Sequence, residues 1–369
     1  MSNKNANPSD PAREKRVDKL IFRIFLLVLI AYVAFYIWHT YKAKTKPKFS
    51  ADYKFGVIQT TEDENISYIT YYNKDMKKGY TQKIQNGQVG DSFEAPQVNS
   101  QNVYMLAKGK KDSANEEKII AVNTKTSKKT SYNVKQTGIT NYRVDSKHIY
   151  TAATTNSELV ISQYTKSSKK TKEVNLKDVT LDCFKVYNEK LYVIVTPVTD
   201  KKATKSMLKI IDTKTMKEIS SIDLSIYPGK KTDLALVNTE LYFTYQPIEG
   251  SQNSTGGLGI YNLVTKKVEK ADISLDQPDQ LFNSNNKFIV SSYSNNKVSV
   301  LDYVNGTTKT YELETTPKLS KVTDTYFYYM DDSKVYRYNL SDFSFDKSVE
   351  VPIKSSDNAT FHLSSLFIK

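Results

Sequence analysis

Residues 292–313 read SYSNNKVSVLDYVNGTTKTYEL and contain two short segments in which apolar and polar residues alternate. Alternation with a period of two is typical of a half-buried β-strand. Asp302 ends the first segment, and its short side chain can bond the backbone two residues further on and close a tight reversal. The stretch therefore predicts two paired strands joined by a turn that starts at Asp302.

The same pattern recurs along the chain, as an apolar-aromatic strand, a loop, an alternating strand, a turn and another alternating strand. The third elements end at Asn73, Asn123, Tyr164, Asp212, Asn262, Asp302 and Asn339. Their spacing averages about 44 residues, the period of four-stranded propeller blades. The sequence therefore predicts an all-β, seven-bladed β-propeller. Tyr164 is neither Asp nor Asn, so a looser turn is expected in its blade.

The two ends of the repeat region complement each other. The first repeat begins with KFGVIQT (54–60) and lacks an innermost strand, whereas the chain ends on an unmatched strand, FHLSSLFIK (361–369). If the last strand completes the first blade, the ring closes and leaves no open sheet edge.

At residues 292–313 the chain resembles the YVTN-type bacterial surface β-propellers, whose repeats pair a short aromatic strand, an Asn-rich turn and a V-x-V-I-D strand. The clear match covers one blade, and LKIID (208–212) is a partial echo. The resemblance implies a propeller with a non-enzymatic surface role, and it supplies no site residues. WD40 blades need a Trp-Asp ending, but the only tryptophan is Trp38, outside the repeats.

An apolar stretch precedes the repeats. Residues 24–38 read IFLLVLIAYVAFYIW without a charge, and residues 20–22 extend the stretch to the length that spans a bilayer. No small-x-small cleavage pattern follows it, so we expect an uncleaved signal anchor and one transmembrane helix. The predicted domains are an N-terminal tail (1–19), the anchor (20–41), a basic stalk (42–52) and the propeller (53–369).

Orientation depends on a small charge difference. Five basic residues lie before the apolar core and four after it, so the positive-inside count slightly favours a cytoplasmic N-terminus. The single cysteine also fits an exported domain of a Gram-positive bacterium. We therefore expect a single-pass protein of the cell membrane with an extracellular C-terminal domain, and a cytoplasmic domain is the alternative.

The basic charge is divided between two regions. Of the formal net charge of +13, residues 1–48 carry +7, and the other residues carry +6 as 43 basic against 37 acidic side chains. Arg143 and Arg337 are the only arginines after the anchor, whereas nucleic-acid readers concentrate arginine. The composition thus argues against a nucleic-acid partner. A solvated lysine-rich surface is the plain interpretation, and weak attraction to anionic headgroups or wall polymers is the other.

The sequence contains no pattern that predicts a catalytic, cofactor or metal site. Cys183 is the only cysteine, so a disulfide within the chain is excluded, and a buried apolar role is expected for it. The three histidines lack paired ligand spacing. An extracytoplasmic enzyme, lactonase-like or another hydrolase, stays open as the alternative, with an acid or metal site in the central channel. Inward carboxylates would favour it, and a channel of Ser, Thr and aromatics would favour a binding module.

Three long polar loops should project from one face of the propeller, at blades two, four and five. They span residues 108–118, 197–205 and 247–257. Recognition tends to lie on such loops, although tolerated insertion explains them equally well. The candidate binding residues are Lys110, Asp112, Glu116, Thr199, Asp200, Glu249, Gln252 and Asn253.

These features predict a membrane-tethered binding or scaffolding module for another envelope protein or an anionic cell-wall polymer. A third hypothesis gives the main role to residues 1–48, as a transmembrane partner of a secretion or division complex with the propeller as a sensor.

Overall fold

A computed structural model describes residues 11–45, 51–90, 95–111, 117–248, 255–292 and 294–369. The chain divides into two compact units, Met1–Lys48 and Phe49–Lys369. The first contains helix α1 (Pro11–Thr45), and the second contains β-strands.

Helix α1 contains one segment, Lys19–Trp38, that is long and apolar enough to cross a membrane. Its apolar side chains are exposed, as at Leu27, where 66% of the surface is accessible. Such a surface suits hydrocarbon better than water. The helix extends beyond the predicted anchor at both ends.

The strands follow in chain order. Blade 1 holds β1 (Phe55–Thr60), β2 (Ser67–Tyr72) and β3 (Lys78–Ile84), and blade 2 holds β4 (Gln97–Asn99), β5 (Asn102–Ala107), β6 (Lys118–Asn123) and β7 (Lys129–Tyr132). Blade 3 holds β8 (Ile139–Val144), β9 (His148–Thr155), β10 (Glu158–Thr165) and β11 (Thr171–Lys177), and blade 4 holds β12 (Val179–Tyr187), β13 (Lys190–Pro197), β14 (Met207–Asp212) and β15 (Lys217–Asp223).

The second half continues the pattern. Blade 5 holds β16 (Leu234–Val237), β17 (Glu240–Tyr245), β18 (Gly256–Asn262) and β19 (Val268–Leu275), and blade 6 holds β20 (Pro278–Ser284), β21 (Lys287–Ser292), β22 (Lys297–Asp302) and β23 (Thr307–Glu312). Blade 7 holds β24 (Leu319–Val322), β25 (Tyr326–Met330), β26 (Lys334–Asn339) and β27 (Phe345–Glu350). A small hairpin of β28 (Ser355–Ser356) and β29 (Ala359–Thr360) precedes the last strand, β30 (His362–Ile368).

Within the described residues the strands form seven four-stranded antiparallel sheets, which confirms the predicted all-β, seven-bladed propeller. In blade 1 the order is β3-β2-β1-β30, so the C-terminal strand is the innermost strand of the first blade. Phe55 pairs with Ile368 and Thr60 pairs with His362. The predicted closure of the ring by the last strand is confirmed.

The turns between the third and fourth strands have the chemistry that the sequence predicts. The Asn123 side-chain oxygen accepts hydrogen bonds from the backbone N–H groups of Lys125 and Thr126, at 3.0 Å each. Asn262 and Asp302 accept equivalent bonds in blades 5 and 6. A residue with positive φ closes the turn, such as Ser127 at 57°.

The prediction of a looser turn at Tyr164 is wrong. Thr165, one residue later, takes the position of Asn123, because its N–H donates to the Lys170 carbonyl (2.9 Å) and its carbonyl accepts from the Lys169 N–H (2.8 Å). Lys169 has the closing positive φ of 56°. Blade 3 therefore has the common turn with a threonine in the Asn/Asp position.

The apolar core lies between blades. Within the described residues one apolar cluster fills each seam, and the seam between blades 7 and 1 joins Phe55 and Leu366 to Tyr328 and Met330. Cys183 is buried at the seam of blades 4 and 5, which confirms its expected apolar role. Burial raises the pKa of its thiol well above the ordinary value, so the thiol stays protonated.

Side-chain amides bond the backbone of neighbouring blades. Gln97 in blade 2 donates to the Tyr142 carbonyl (2.6 Å) and accepts from the Val144 N–H (3.0 Å) in blade 3. In the same way, the Gln59 side-chain amide donates to the Pro352 carbonyl and accepts from the Lys354 N–H. The Gln97 bonds hold the innermost strands of blades 2 and 3 together, and the Gln59 bonds tie blade 1 to the segment that follows blade 7.

Candidate functional site

Successive strands of each blade run in opposite directions, so their connections emerge on two opposite faces of the propeller. The loop face carries the loops between second and third strands and the connections between blades. The turn face carries the turns between first and second strands and between third and fourth strands. The three long polar loops follow β5, β13 and β17, the second strands of blades 2, 4 and 5, so all three emerge on the loop face.

The structure describes three of the predicted binding residues. Lys110 and Thr199 are exposed in the loops of blades 2 and 4, and Asp200 is partly buried in the blade 4 loop. The other five, namely Asp112, Glu116, Glu249, Gln252 and Asn253, lie outside the described residues.

Asp200 organises its own loop. Its carboxylate accepts hydrogen bonds from the Thr204 hydroxyl at 3.0 Å and the Lys205 N–H at 2.5 Å. A carboxylate held in this way supports the conformation of residues 200–205. The exposed charged groups of this loop are its neighbours, Lys201 and Lys202.

A pocket lies beside this loop, between blades 4 and 5, and has a volume of about 840 Å³. The blade 4 loop forms one wall and the blade 5 loop forms the other, and Lys230 belongs to the connection between the two blades. We call this cavity the inter-blade pocket. Its lining includes Asp182, Thr196, Lys201, Lys202, Lys230 and Gln246.

The walls of the inter-blade pocket are tied together by backbone bonds. The Gly229 N–H donates to the Ala203 carbonyl at 2.9 Å, and the Gln246 N–H donates to the Lys230 carbonyl at 2.8 Å. Gly229 has a φ of +105°, and a Cβ there would lie 1.8 Å from the Gln246 carbonyl oxygen. Only glycine fits this approach, so residue 229 fixes the distance between the walls.

A buried polar chain lies beneath the pocket. Lys231 is fully buried, and its ammonium group donates to the Ser206 hydroxyl (2.9 Å) and to the Tyr227 and Gly229 carbonyls (2.6 and 2.7 Å). Ser206 and Thr196 hydroxyls are 3.1 Å apart, and Thr196 donates to the Asp182 carboxylate at 2.9 Å. We call this chain the Lys231–Asp182 network.

The charges at its two ends are shifted in opposite directions. Burial raises the pKa of Asp182 to about 6, and the nearby Lys231 charge opposes this shift. Burial lowers the pKa of Lys231 to about 8, and the Asp182 charge opposes that shift. Both groups are thus charged near neutral pH, and each compensates part of the desolvation of the other.

Ser206 and Lys231 are close enough to suggest a serine nucleophile with a lysine base. Their hydrogen bonding argues against that role, because Lys231 is an ammonium group whose three N–H bonds each have an acceptor and which has no lone pair to accept a proton. Ser206 is also fully buried. The arrangement is that of a rigid support.

The central channel is a second cavity, of about 380 Å³. The innermost strands contribute the cations Arg143, Lys185 and Lys321 and the carboxylates Asp233 and Asp279. Lys185 and Asp233 form a 2.7 Å ion pair. Burial and the neighbouring Asp233 charge raise the pKa of Asp279 to about 6.

This channel matches neither of the two expected linings, since it mixes cations, carboxylates and glutamines. In the part of the chain that the structure describes, no group of three or more His, Cys, Asp or Glu side chains is arranged to hold a metal ion.

Several pocket residues could not be identified from the sequence. Asp182 and Lys230 come from an innermost strand and a connection between blades, and neither belongs to a recognised motif. The only local signal is the run PGKKTD at 228–233, in which Gly229 marks a close backbone approach.

No protein-family model matches the sequence, and no curated protein matches it. Among solved structures, the chain is similar to AztD from Citrobacter koseri, with a TM-score of 0.52 and 10% identity over 81% of this chain and 82% of that chain. It is also similar to Kluyveromyces lactis Hsv2 (TM-score 0.50, 10% identity, 80% of this chain and 100% of that chain). A third similar structure is the AfRom2 CNH domain (TM-score 0.50, 9% identity, 73% of this chain and 92% of that chain).

These identities are too low to carry a function, so the likenesses support the propeller fold alone. No family model or curated relative supports the narrower resemblance to YVTN-type propellers.

Proposed function

We propose that this protein is a membrane-anchored, extracytoplasmic binding or scaffolding module whose loop face takes an anionic wall polymer or an acidic surface of another envelope protein. The inter-blade pocket carries the proposal, because two of the long loops form its walls and three exposed lysines, Lys201, Lys202 and Lys230, surround it. In this proposal residues 1–19 are a cytoplasmic tail, 20–41 the anchor, 42–52 a basic stalk and 53–369 the propeller.

The size and rigidity of the inter-blade pocket support a binding role. Its volume of about 840 Å³ is within the range of small-ligand sites. The backbone bonds at Gly229 and Gln246 hold the walls before any ligand arrives. A preformed site loses less entropy on binding, so a few lysine contacts to phosphate or carboxylate groups are sufficient for useful affinity.

The resemblance of residues 292–313 to YVTN-type surface propellers supports the same role. The resemblance implies a non-enzymatic role at a bacterial surface, and it supplies no site residues. The saturated bonding of Lys231 also supports binding over catalysis, because the nucleophile-like pair beneath the pocket is fully occupied.

Photocrosslinking in intact cells tests the proposal. Thr199, in the pocket loop, is replaced by p-benzoyl-phenylalanine in the full chain, and Lys309, on the outer strand of blade 6, is replaced in a matched control. We expect a discrete adduct at position 199, either a protein band or a polymer ladder. The further changes Lys202→Glu and Lys230→Glu should lower its yield at least about fivefold, equivalent to about 1 kcal/mol.

Adduct yields that are equal at positions 199 and 309, or that ignore the two charge reversals, would contradict the proposed loop-face site. A second measurement addresses the compartment. Protease added to intact cells should remove a C-terminal tag from an extracellular propeller, whereas protection of the tag would reverse the proposed topology.

A further inference from the structure

The turn face has an uneven distribution of charge. The turns between the third and fourth strands are rich in lysine in blades 1 to 5. Each turn contains three lysines in blades 1 to 3 and two lysines in blades 4 and 5. The same turns contain two acids, Asp75 and Asp212. They read NKDMKK (73–78), NTKTSKK (123–129), TKSSKKT (165–171), DTKTMK (212–217) and NLVTKKV (262–268).

Most of these lysines are exposed. In the described part of the turns, Lys214 is the one lysine with a carboxylate partner, Glu189 at 2.7 Å, and Lys166 is partly buried against Tyr104. Lys125, Lys169 and Lys266 are exposed, like most of the others. Their positive charge is therefore available to a partner.

The loop face carries more acidic residues, as blades 1 and 7 show. Glu62, Asp63 and Glu64 follow the second strand of blade 1, and Asp331 and Asp332 occupy the corresponding turn of blade 7. Carboxylates on that face offset its lysines, so the turn face is the more positive side of the ring.

Two exposed apolar side chains lie on the same face, one in the basic turn of blade 5 and one in the next turn, in blade 6. Val264 and Val304 occupy the same position in the turns of blades 5 and 6, two residues after Asn262 and Asp302, and are 69% and 66% exposed. The corresponding residues in the other blades are polar or charged, such as Lys125 and Lys214. An exposed valine next to lysines suits a surface that has both anionic groups and an apolar interior, as a bilayer has.

The chain enters the propeller on the turn face. The Lys54 N–H donates to the Tyr72 carbonyl at 2.7 Å, immediately before the turn at Asn73. Lys369 donates from its ammonium group to the Ala51 carbonyl and lies 5.1 Å from the ring centre of Tyr53. These contacts fix residue 51 at the edge of this face.

We propose that the turn face of blades 1 to 5 docks on an anionic phospholipid surface, with the lysines of the turns at the headgroups, Val264 among them and Val304 in the adjoining turn of blade 6. The site is on the side opposite to the inter-blade pocket, so the proposal is independent of the proposed function. Docking would leave the loop face directed away from the membrane.

A fluorescence experiment on the full chain tests this docking. Cys183 is 2% exposed, so a single introduced cysteine can be labelled selectively. Ser167→Cys reports the turn face of blade 3, and Asp357→Cys reports the loop face. Each labelled protein is reconstituted in nanodiscs that contain a headgroup spin-labelled quencher, in phosphatidylcholine alone or mixed with phosphatidylglycerol.

Docking predicts that phosphatidylglycerol increases quenching at position 167 at least about threefold, since each lysine near an anionic surface is attracted to it. Position 357 should show little change. About 1 M salt should abolish the increase, because the Debye length falls to about 3 Å. The variant Lys125→Glu/Lys169→Glu/Lys266→Glu should lose it, and the control Lys110→Glu/Lys177→Glu/Lys205→Glu should keep it.

Three results would overturn the proposal: quenching that does not depend on phosphatidylglycerol, equal quenching of the two labels, or a response to soluble polyphosphate without a response to lipid. The last would assign the turn face to a polymer. Thermal melting checks that the lysine variants fold. If a variant does not fold, the test is the quenching of the two labelled proteins with their lysines intact, compared with and without phosphatidylglycerol. None of these results bears on crosslinking at position 199.

Discussion

Arg337 holds Asp346 with two nitrogen atoms, Nε at 2.6 Å and Nη2 at 2.5 Å from the same carboxylate oxygen. Its third nitrogen, Nη1, donates to the Lys74 carbonyl at 2.6 Å. Arg337 belongs to blade 7 and Lys74 to blade 1, so one guanidinium group joins a salt bridge within a blade to the seam that closes the ring.

Loss of this guanidinium should destabilise the propeller. Arg337 is 4% exposed, and Arg337→Ala leaves Asp346 and the Lys74 carbonyl without their partner. We expect the free energy of unfolding to fall by about 2–4 kcal/mol, as for other broken, largely buried ion pairs. Lys83→Ala, on the exposed outer strand of blade 1, should change it by less than about 0.5 kcal/mol. Denaturant titration measures both, and equal effects would refute the role of Arg337.

Closure of the ring also depends on a glycine opposite an aromatic ring. Gly56 pairs with Phe367 across β1 and β30, and a Cβ at residue 56 would lie 2.2 Å from the Phe367 ring. Gly56→Ala should therefore cost about 1–3 kcal/mol through overpacking. Gly79→Ala, where the nearest atom is 3.6 Å away, should be tolerated. Thermal melting compares the two variants. Similar melting temperatures would contradict the prediction, because they would show that the Phe367 ring moves aside at little cost in stability.

Thr165 provides a test of the corrected turn in blade 3. Thr165→Asn would supply the side-chain acceptor that Asn123 supplies in blade 2, so we expect a gain of about 0.5 kcal/mol. Tyr164→Asn should instead cost about 3 kcal/mol, because Tyr164 is 6% exposed. Chemical unfolding of the two variants distinguishes the positions, and the reverse order of stability would restore Tyr164 as the turn residue.

The Lys231–Asp182 network should behave as one unit. Lys231→Met leaves Asp182 as a buried charge without its counter-charge and should cost about 3–5 kcal/mol. In the double variant with Asp182→Asn the cost should be smaller than the sum of the single costs by about 1–3 kcal/mol. A double-mutant cycle measures this coupling, and additive costs would show that the two ends do not interact.

The raised pKa values of Asp182 and Asp279 predict a pH dependence. The folded state binds a proton at each group near pH 6, whereas an unfolded aspartate binds it near 3.8. Between these values the folded state binds more protons, so these groups make unfolding harder as the pH falls from 7 towards 5.

Asp279→Asn should remove about 1 kcal/mol of that increase. Asp357→Asn on the exposed hairpin serves as the control and should leave the slope unchanged. Unfolding free energies at pH 5, 6 and 7 provide the measurement, and the same slope in the Asp279→Asn protein would contradict the raised pKa.

The fold was predictable because its signals are either local turn residues or the regular spacing between them. Asn123 and Asp302 mark turns with their own side chains, and the spacing of such residues gives the number of blades. The closure followed from two unmatched strands at the ends of the repeats. The position of the blade 3 turn was missed because threonine carries a weaker turn signal than Asn or Asp.

The candidate site was less predictable for a physical reason. Lys230 and Lys231 are identical neighbours in the sequence, yet Lys230 is exposed at the inter-blade pocket and Lys231 is fully buried. The difference arises because Ser206, from a different strand connection, accepts a hydrogen bond from Lys231. The different burial of the two lysines depends on packing between blades, and the sequence pattern within one blade does not predict it. The long loops indicated the face on which the inter-blade pocket opens, but its residue Asp182 comes from an innermost strand.

The pairing of β1 with β30 has a consequence for the order of events during synthesis. Phe55–Thr60 is synthesised before its partner His362–Ile368, which emerges only after the strands of blades 2 to 7. Until then the innermost edge of blade 1 is unpaired, and contacts so distant in sequence form slowly. A chain that stops before His362 would thus lose the closure of the whole ring, and a nascent chain needs protection of that edge until β30 has emerged.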